Sequence, residues 1–224
     1  MTKLEEELIS LRKKLLDMAA SVEEMISKSV RSLVELNMMM AEEVKRSDTK
    51  VNTLEIEIDN HCTRIIALYH PEAEDLRSVL MTLKMNNDLE RIGDHAVNIS
   101  EQAIRLSDKP PVKPLIDIPR MGEVAIEMLK ESIDSFVRKD SELALEVCKK
   151  DDIVDNLYNQ LIRELVTYMI SDPSTIERAF SLIMVGKGLE RVADLATNIA
   201  EDTYFLAEGK VIKHHAMDMA PEDK

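Results

Sequence analysis

The 224 residues contain no Trp, only 3 Phe and 4 Tyr, and just 5 Gly and 7 Pro. Strands draw on aromatic and β-branched residues, and the turns between them on Gly and Pro. Residues 1–70 have neither Gly nor Pro, which excludes an all-β fold and argues against a doubly wound α/β one. The two cysteines, Cys62 and Cys148, stand far apart and form no CxxC or other ligand spacing. Each reads as a small apolar residue in a reducing compartment. No apolar run approaches the roughly 20 residues of a membrane span, so no membrane insertion is expected. Met1 to Lys14 alternates charge with leucine rather than forming the apolar heart of a signal peptide, and the expected location is cytoplasmic. Positive charge is also short: 29 basic against 43 acidic side chains leave a net charge of −14. That argues against nucleic-acid binding and against adhesion to anionic lipid. There is no phosphate-binding glycine loop, no GxSxG and no HExxH. Nor does any His follow a Glu by three residues, as a ferritin-like di-iron oxidase requires.

What the chain has in quantity is Leu, Glu, Lys, Ala and 14 Met, all good helix formers. Leu4, Leu8, Leu11, Leu15, Met18, Val22 and Met25 recur at spacings of four and three, the apolar seam of a packed helix. This first helix is expected from Lys3 to Arg46. Ser47-Asp48 offers an N-cap for a second, with the stripe Val51, Leu54, Ile58, His61, Ile65 and Leu68, ended by His70-Pro71. A third is expected over Glu74–Ser107 with the stripe Met85, Leu89, Ile92, Ala96, Ile99, Ala103 and Leu106. Residues 108–118 follow as a linker, with prolines at 110, 111 and 114 that no helix accommodates. Helices are then expected over Pro119–Lys150, with a re-capping point at Asp140 or Ser141, over Asp151–Ser171 up to Asp172-Pro173, and over Ser174–Ala207, stopped by Gly209.

The two halves match in register. Met25, Val44, Asp48 and Leu54 correspond to Met128, Val147, Asp151 and Leu157 at a shift of 103. Leu89-Glu90-Arg91-Ile92-Gly93-Asp94-His95-Ala96-Val97-Asn98-Ile99 corresponds to Leu189-Glu190-Arg191-Val192-Ala193-Asp194-Leu195-Ala196-Thr197-Asn198-Ile199 at a shift of 100. Two amphipathic helices share Leu, Ala and Ile by chance, but not Glu, Arg, Asp and Asn in register. The expected fold is all-α: two tandem pseudo-symmetric three-helix bundles, over 1–107 and 119–210, with a tail over 211–224.

Polar residues in this repeat carry the chemistry. Glu90 and Asp94, like Glu190 and Asp194, stand one turn apart and repel unless something compensates them. At 100° per residue they lie away from the apolar stripe, on a polar face. The bland alternative is a solvated helix face. Against it, the pair occurs twice, and Asp151 and Asp155 repeat the spacing on the preceding helix. An antiparallel neighbour brings Asp151, Asp155, Glu190 and Asp194 together, and four uncompensated carboxylates call for a cation. Oxygen ligation suits Mg²⁺, Ca²⁺ or Mn²⁺, and iron bridged by carboxylates. In the first half the partner pair is Asp48 and Asn52, one charge fewer, so a weaker or differently populated site is expected there with Glu90 and Asp94. Arg91 and Arg191 read as surface salt bridges, and His95, opposite Leu195, as a surface histidine. His214 and His215 have no carboxylate in register. Met38-Met39-Met40 reads as core filling or an adaptable contact surface.

The repeated Leu-Glu-Arg-[Ile/Val]-x-Asp-x-Ala-x-Asn-Ile, the Pro-rich linker and the closing Glu-Gly-Lys-Val-Ile-Lys-His resemble the PhoU family from about Leu4 to His214. The resemblance implies two symmetric three-helix bundles in a homodimer. It also implies a cytoplasmic, non-enzymatic negative regulator of phosphate uptake and of the phosphate-starvation response. The implied partners are the ATPase subunit of the phosphate ABC importer and a PAS-containing sensor histidine kinase. Some members hold multinuclear iron or other metal on [Glu/Asp]-x-x-x-Asp motifs. By position, Asp151, Asp155, Glu190 and Asp194 match that motif, as do Glu90 and Asp94; Asp48-x-x-x-Asn52 departs from it at Asn52. The implied cofactor is divalent or multinuclear metal, as iron, Mn, Mg or Zn. The alternative class is a metal-carboxylate bundle serving metal storage or metal-dependent catalysis.

Overall fold

The computed structural model describes residues 2–210 and Ile212. Met1, Val211 and the residues beyond Ile212, His214 and His215 among them, lie outside it. Six helices follow one another: α1 Lys3–Val34, α2 Met38–Tyr69, α3 Ala73–Leu106, α4 Asp117–Arg138, α5 Ser141–Ser171 and α6 Ile176–Glu208, with a short 3₁₀ turn at Pro173–Thr175 before α6. No strand occurs among the described residues. Helices α1, α2 and α3 pack mutually into one bundle and α4, α5 and α6 into another; α3 against α6 and α1 against α4 join the two.

The expected second-helix start at Ser47 is overturned. The chain turns eleven residues earlier, and Asp48 lies inside α2. Leu36 takes a left-handed backbone with φ 52°, and Asn37 then caps α2, its side chain accepting from the Met40 amide at 3.1 Å. The second half repeats the device 103 residues on. Lys139 has φ 54°, and Asp140 accepts from the Leu143 amide at 3.0 Å. The re-capping point at Asp140 holds, and α5 therefore starts at Ser141 rather than Asp151. No Gly marks either turn. A single non-glycine residue in this conformation costs about 1–2 kcal/mol, which the Asx cap and the continuing seam offset.

The seams bury as their spacing requires. Leu11, Leu15, Met18, Val22 and Met25 on α1 are buried, as are all seven stripe residues of α3. On α2 the stripe frays: Leu54 is half-buried and Leu68 exposed. Small hydroxyls let helices approach. Ser29 and Ser32, and their counterparts Ser132 and Ser135, are buried and return their hydroxyls to carbonyls three residues back. Met38 and Met39 are exposed, so they fill no core. Proline ends α2 and α5 as expected, and Gly209 stops α6 with φ 69°.

α4 begins at Asp117, just after the prolines. The stretch before it is held down by Lys113, whose ammonium is buried between Asp117 at 2.6 Å and Glu164 of α5.

Candidate metal centre

Each bundle places an acidic groove between its second and third helices. In the second bundle Asp151 and Asp155 lie one turn apart on α5, facing Glu190 and Asp194 on α6. Burial and the charges of Asp194, Asp155, Asp152 and Glu190 push Asp151 up to about 6. Burial, Glu190 and Asp194 raise Asp155 as well. The charges of these four residues act on one another across the α5–α6 groove. Two of their oxygens, Asp151 Oδ1 and Glu190 Oε2, are buried without a hydrogen-bond partner.

In the first bundle Asp48, Asn52, Glu90 and Asp94 also share one groove. Asp48 Oδ2 accepts from Asn52 Nδ2 at 2.8 Å. Its other oxygen lies over Gly93, 3.9 Å from where a β-carbon would stand, buried and unpartnered like Asn52 Oδ1. Burial raises Asp48, with Asp94 adding to it. Burial raises Glu90 too, followed by the charges of Asp94, Glu55 and Asp48.

Glu55 is a member that sequence reasoning missed. It is itself pushed up by burial and by Asp59 and Asp94. It stands seven residues after Asp48, hence on the same helical face. Its counterpart at 158 is Tyr, so a search for acids shared by both halves passes over it. Asn86 was missed likewise; its amide donates to the Glu55 carbonyl at 3.0 Å and to Asp59 Oδ1 at 2.8 Å.

A further departure concerns His95. It is half-buried at the α3–α6 contact rather than on the surface, and desolvation, then Arg91, lowers its pKa. The arginines behave as expected of exposed pairs, yet differently from one another. Arg91 reaches Asp88 at 3.6 Å, whereas Arg191 reaches Asp194 at 2.7 Å. Lys187, also missed, bridges Glu190 at 2.5 Å and lies 5.5 Å from the centre of the Tyr158 ring.

These donors fit a hard cation. They are oxygens throughout, several are buried with lone pairs unused, and the carboxyls of Asp48, Glu90, Asp151 and Asp155 are raised by burial and then by neighbouring acids, a repulsion that a bound ion would relieve. Among the described residues no group of three or more His, Cys, Asp or Glu side chains is placed to hold a metal ion. The grooves are open acidic clefts. Beside the second lies a hollow of about 830 Å³ with Arg91, Arg191, Leu145 and Cys148 on its walls.

Comparison with known proteins agrees with this architecture. The family profile described as PhoU domain matches residues 15–103 and 118–203. A phosphate-specific transport system accessory protein PhoU homolog from Aquifex aeolicus is 45% identical over 212 residues, 95% of this chain and 96% of that one. A homolog of the same description from Pseudomonas aeruginosa is 36% identical over 218 residues, covering 97% of this chain and 90% of that one. The crystal structure of PhoU from Pseudomonas aeruginosa superimposes with a TM-score of 0.90 at 36% identity, covering 93% of this chain and all of the other. That of the phosphate transport system regulatory protein PhoU from Streptococcus pneumoniae gives 0.87 at 27% identity over 94% of this chain. With both repeats matched and nearly the whole length covered, the chain belongs to the PhoU family.

Proposed function

We propose that this protein is an accessory component of phosphate-specific transport and a negative regulator of it and of the phosphate-starvation response. It acts in the cytoplasm as a homodimeric, non-enzymatic adaptor. One partner is the ATPase subunit of the phosphate ABC importer; the other is the PAS-containing sensor histidine kinase, held in its phosphatase-favouring state when phosphate is plentiful. The observation that carries this reading is the match of both repeats to one family, over 95% of the chain for the Aquifex aeolicus relative named as a transport accessory protein. Exposed Met38 and Met39, flexible and polarizable, supply the adaptable contact surface an adaptor uses. No helix among the described residues is long and apolar enough to cross a membrane, so contact with the importer runs through protein.

The same reading assigns Asp151, Asp155, Glu190 and Asp194, with Asp48, Asn52, Glu90 and Asp94, to divalent or multinuclear metal. The ion would stiffen each groove by neutralising acids on two helices at once. The buried, unpartnered carboxylate oxygens also favour a second reading, a metal-storage or metal-dependent enzymatic bundle.

The test is capture from a phosphate-replete lysate on the tagged full chain, with the adherent proteins identified. The adaptor reading expects importer ATPase and sensor kinase together. Capture of neither overturns it, and turnover of peroxide or a phosphoester that disappears in Asp194→Ala replaces it with the enzyme reading.

A further inference from the structure

The α5–α6 pair turns an apolar surface to water. Gly186 lies opposite Tyr158 and Leu161, and Lys187 stands 5.5 Å from the centre of the Tyr158 ring, which sets the antiparallel register of the two helices. From there, steps of four residues take α5 through Ile162, Val166 and Ile170, and α6 back through Met184, Phe180 and Ile176, in three facing pairs. Five of the six are exposed, Ile170 at 78% and Phe180 at 59%, while Ile162 is half-buried. Single exposed apolar residues are ordinary, but two rows in register make a patch, and such patches mark contact sites.

The first half folds the same way without this patch. At the matching places α2 has Asp59, Thr63 and the small Ala67, and α3 has Lys84; only Leu76 and Leu80 keep large apolar side chains. The packing of a bundle therefore does not require the six residues. Charge follows the same division. Residues 156–189 hold three acids, Glu164, Asp172 and Glu177, and three bases, Arg163, Arg178 and Lys187. Over the matching residues 53–89, seven acids stand against three bases. Glu164 is moreover tied to Lys113, and Glu177 to Lys109 at 2.7 Å. In a chain of net charge −14, this stretch is neutral.

From this we infer that the face of α5 and α6 around Val166 and Phe180 is where a second copy of this chain docks, one helix pair on the other, as the two halves of a four-helix contact. A two-fold axis sets the same patch against itself, so each copy meets its own charge. An acid-rich face then repels its counterpart, and the neutral apolar face does not. A basic partner, by contrast, is drawn to the acidic surface elsewhere on the molecule. The inference rests on the homodimer of the reading above and names its surface.

Sedimentation equilibrium of the full chain over a concentration series reads this out, with far-UV dichroism checking the fold of each variant. The wild type sediments at twice the 25.5 kDa of one chain. Phe180→Glu and Ile170→Glu, both at exposed positions, each weaken the dimer about a hundredfold, because the two-fold counts every substitution twice. Leu80→Glu, the same change at the matching place on α3, leaves it as it was. A wild-type dimer unmoved by Phe180→Glu and Ile170→Glu in folded protein, or weakened as much by Leu80→Glu, overturns the surface while the homodimer stands. A wild type that stays monomeric at every concentration overturns the homodimer and this inference with it. If Phe180→Glu then also releases a protein captured from the phosphate-replete lysate, the patch belongs to that other protein instead.

Discussion

The Tyr158 ring occupies space that Gly186 leaves open: a β-carbon at 186 would stand 3.1 Å from Tyr158 Cδ2 and 2.6 Å from Leu161 Cδ2. In the first bundle the corresponding residue is Asn86, and α2 presents Glu55 where α5 presents Tyr158. Two neighbouring differences thus put a further acid on one groove and an aromatic ring on the other.

Gly186→Ala is expected to destabilise the protein although alanine is the better helix former. The gain in propensity is about 1 kcal/mol. Against it, Leu161 is almost fully buried and its methyl must move, together with the Tyr158 ring, at a cost of about 1–3 kcal/mol for an overpacked core. The net loss registers as a lower urea midpoint. The displaced ring also loosens Lys187 from its 5.5 Å position. A raised midpoint would show that the α5–α6 contact has slack.

Lys113 tests the anchoring of the linker. It is 8% exposed and Asp117 is 7% exposed, so the pair is inside the protein, with Glu164 the outer partner. Burial alone would lower the lysine, yet its two carboxylates hold it raised. Lys113→Met leaves Asp117 buried and uncompensated, a loss of about 3 kcal/mol. Lys113→Met with Asp117→Leu removes both charges and recovers most of it. Urea unfolding of the single and double variants checks the prediction, and equal losses in the two would place the cost in packing instead.

The acidic grooves make the metal-free protein sensitive to pH in a definite direction. In the unfolded chain Asp151 ionises near 3.8; in the fold it does so at about 6. Between those values the native state holds a proton that the unfolded state has released, so stability falls as pH rises. The contribution is fully present below about pH 4 and gone above about pH 6. Asp48, Glu55, Glu90 and Asp155 are shifted the same way. The thermal midpoint of Asp151→Asn should coincide with that of the wild type at the acid end and exceed it at neutral pH. The gap should open across the window between the two values. Mn²⁺, by compensating the ionised groove, should raise the wild-type midpoint at neutral pH more than that of the variant. A gap independent of pH would mean that Asp151 is uncharged for some other reason.

Much of the architecture was legible in residue spacing. The α1 and α3 seams, the proline stops after α2 and α5, and the glycine stop of α6 are local consequences of helix geometry and backbone chemistry. The α1–α2 turn was not. Leu36 carries no mark of a left-handed residue, and the apolar rhythm runs on through it, so a cap at Ser47-Asp48 looked better than the true one at Asn37. His95 was misplaced for a similar reason. Its exposure depends on where α3 meets α6, which no feature of α3 records.

The sequence by itself determined an all-helical chain, a duplication, and the recurrence of paired acids one turn apart. These follow from the 3.6-residue period and from identities in register, both readable along a single strand of text. Only the tertiary structure decided which charges meet. Glu55 and Lys187 have no counterparts of their own charge in the other half, so a position-by-position comparison passes over them. Electrostatic energy depends on separation in space and on burial. Those were set when α2 settled against α3 and α5 against α6, with Glu190 and Asp194 bridged by Lys187 and Arg191 and Asp48 by the Asn52 amide.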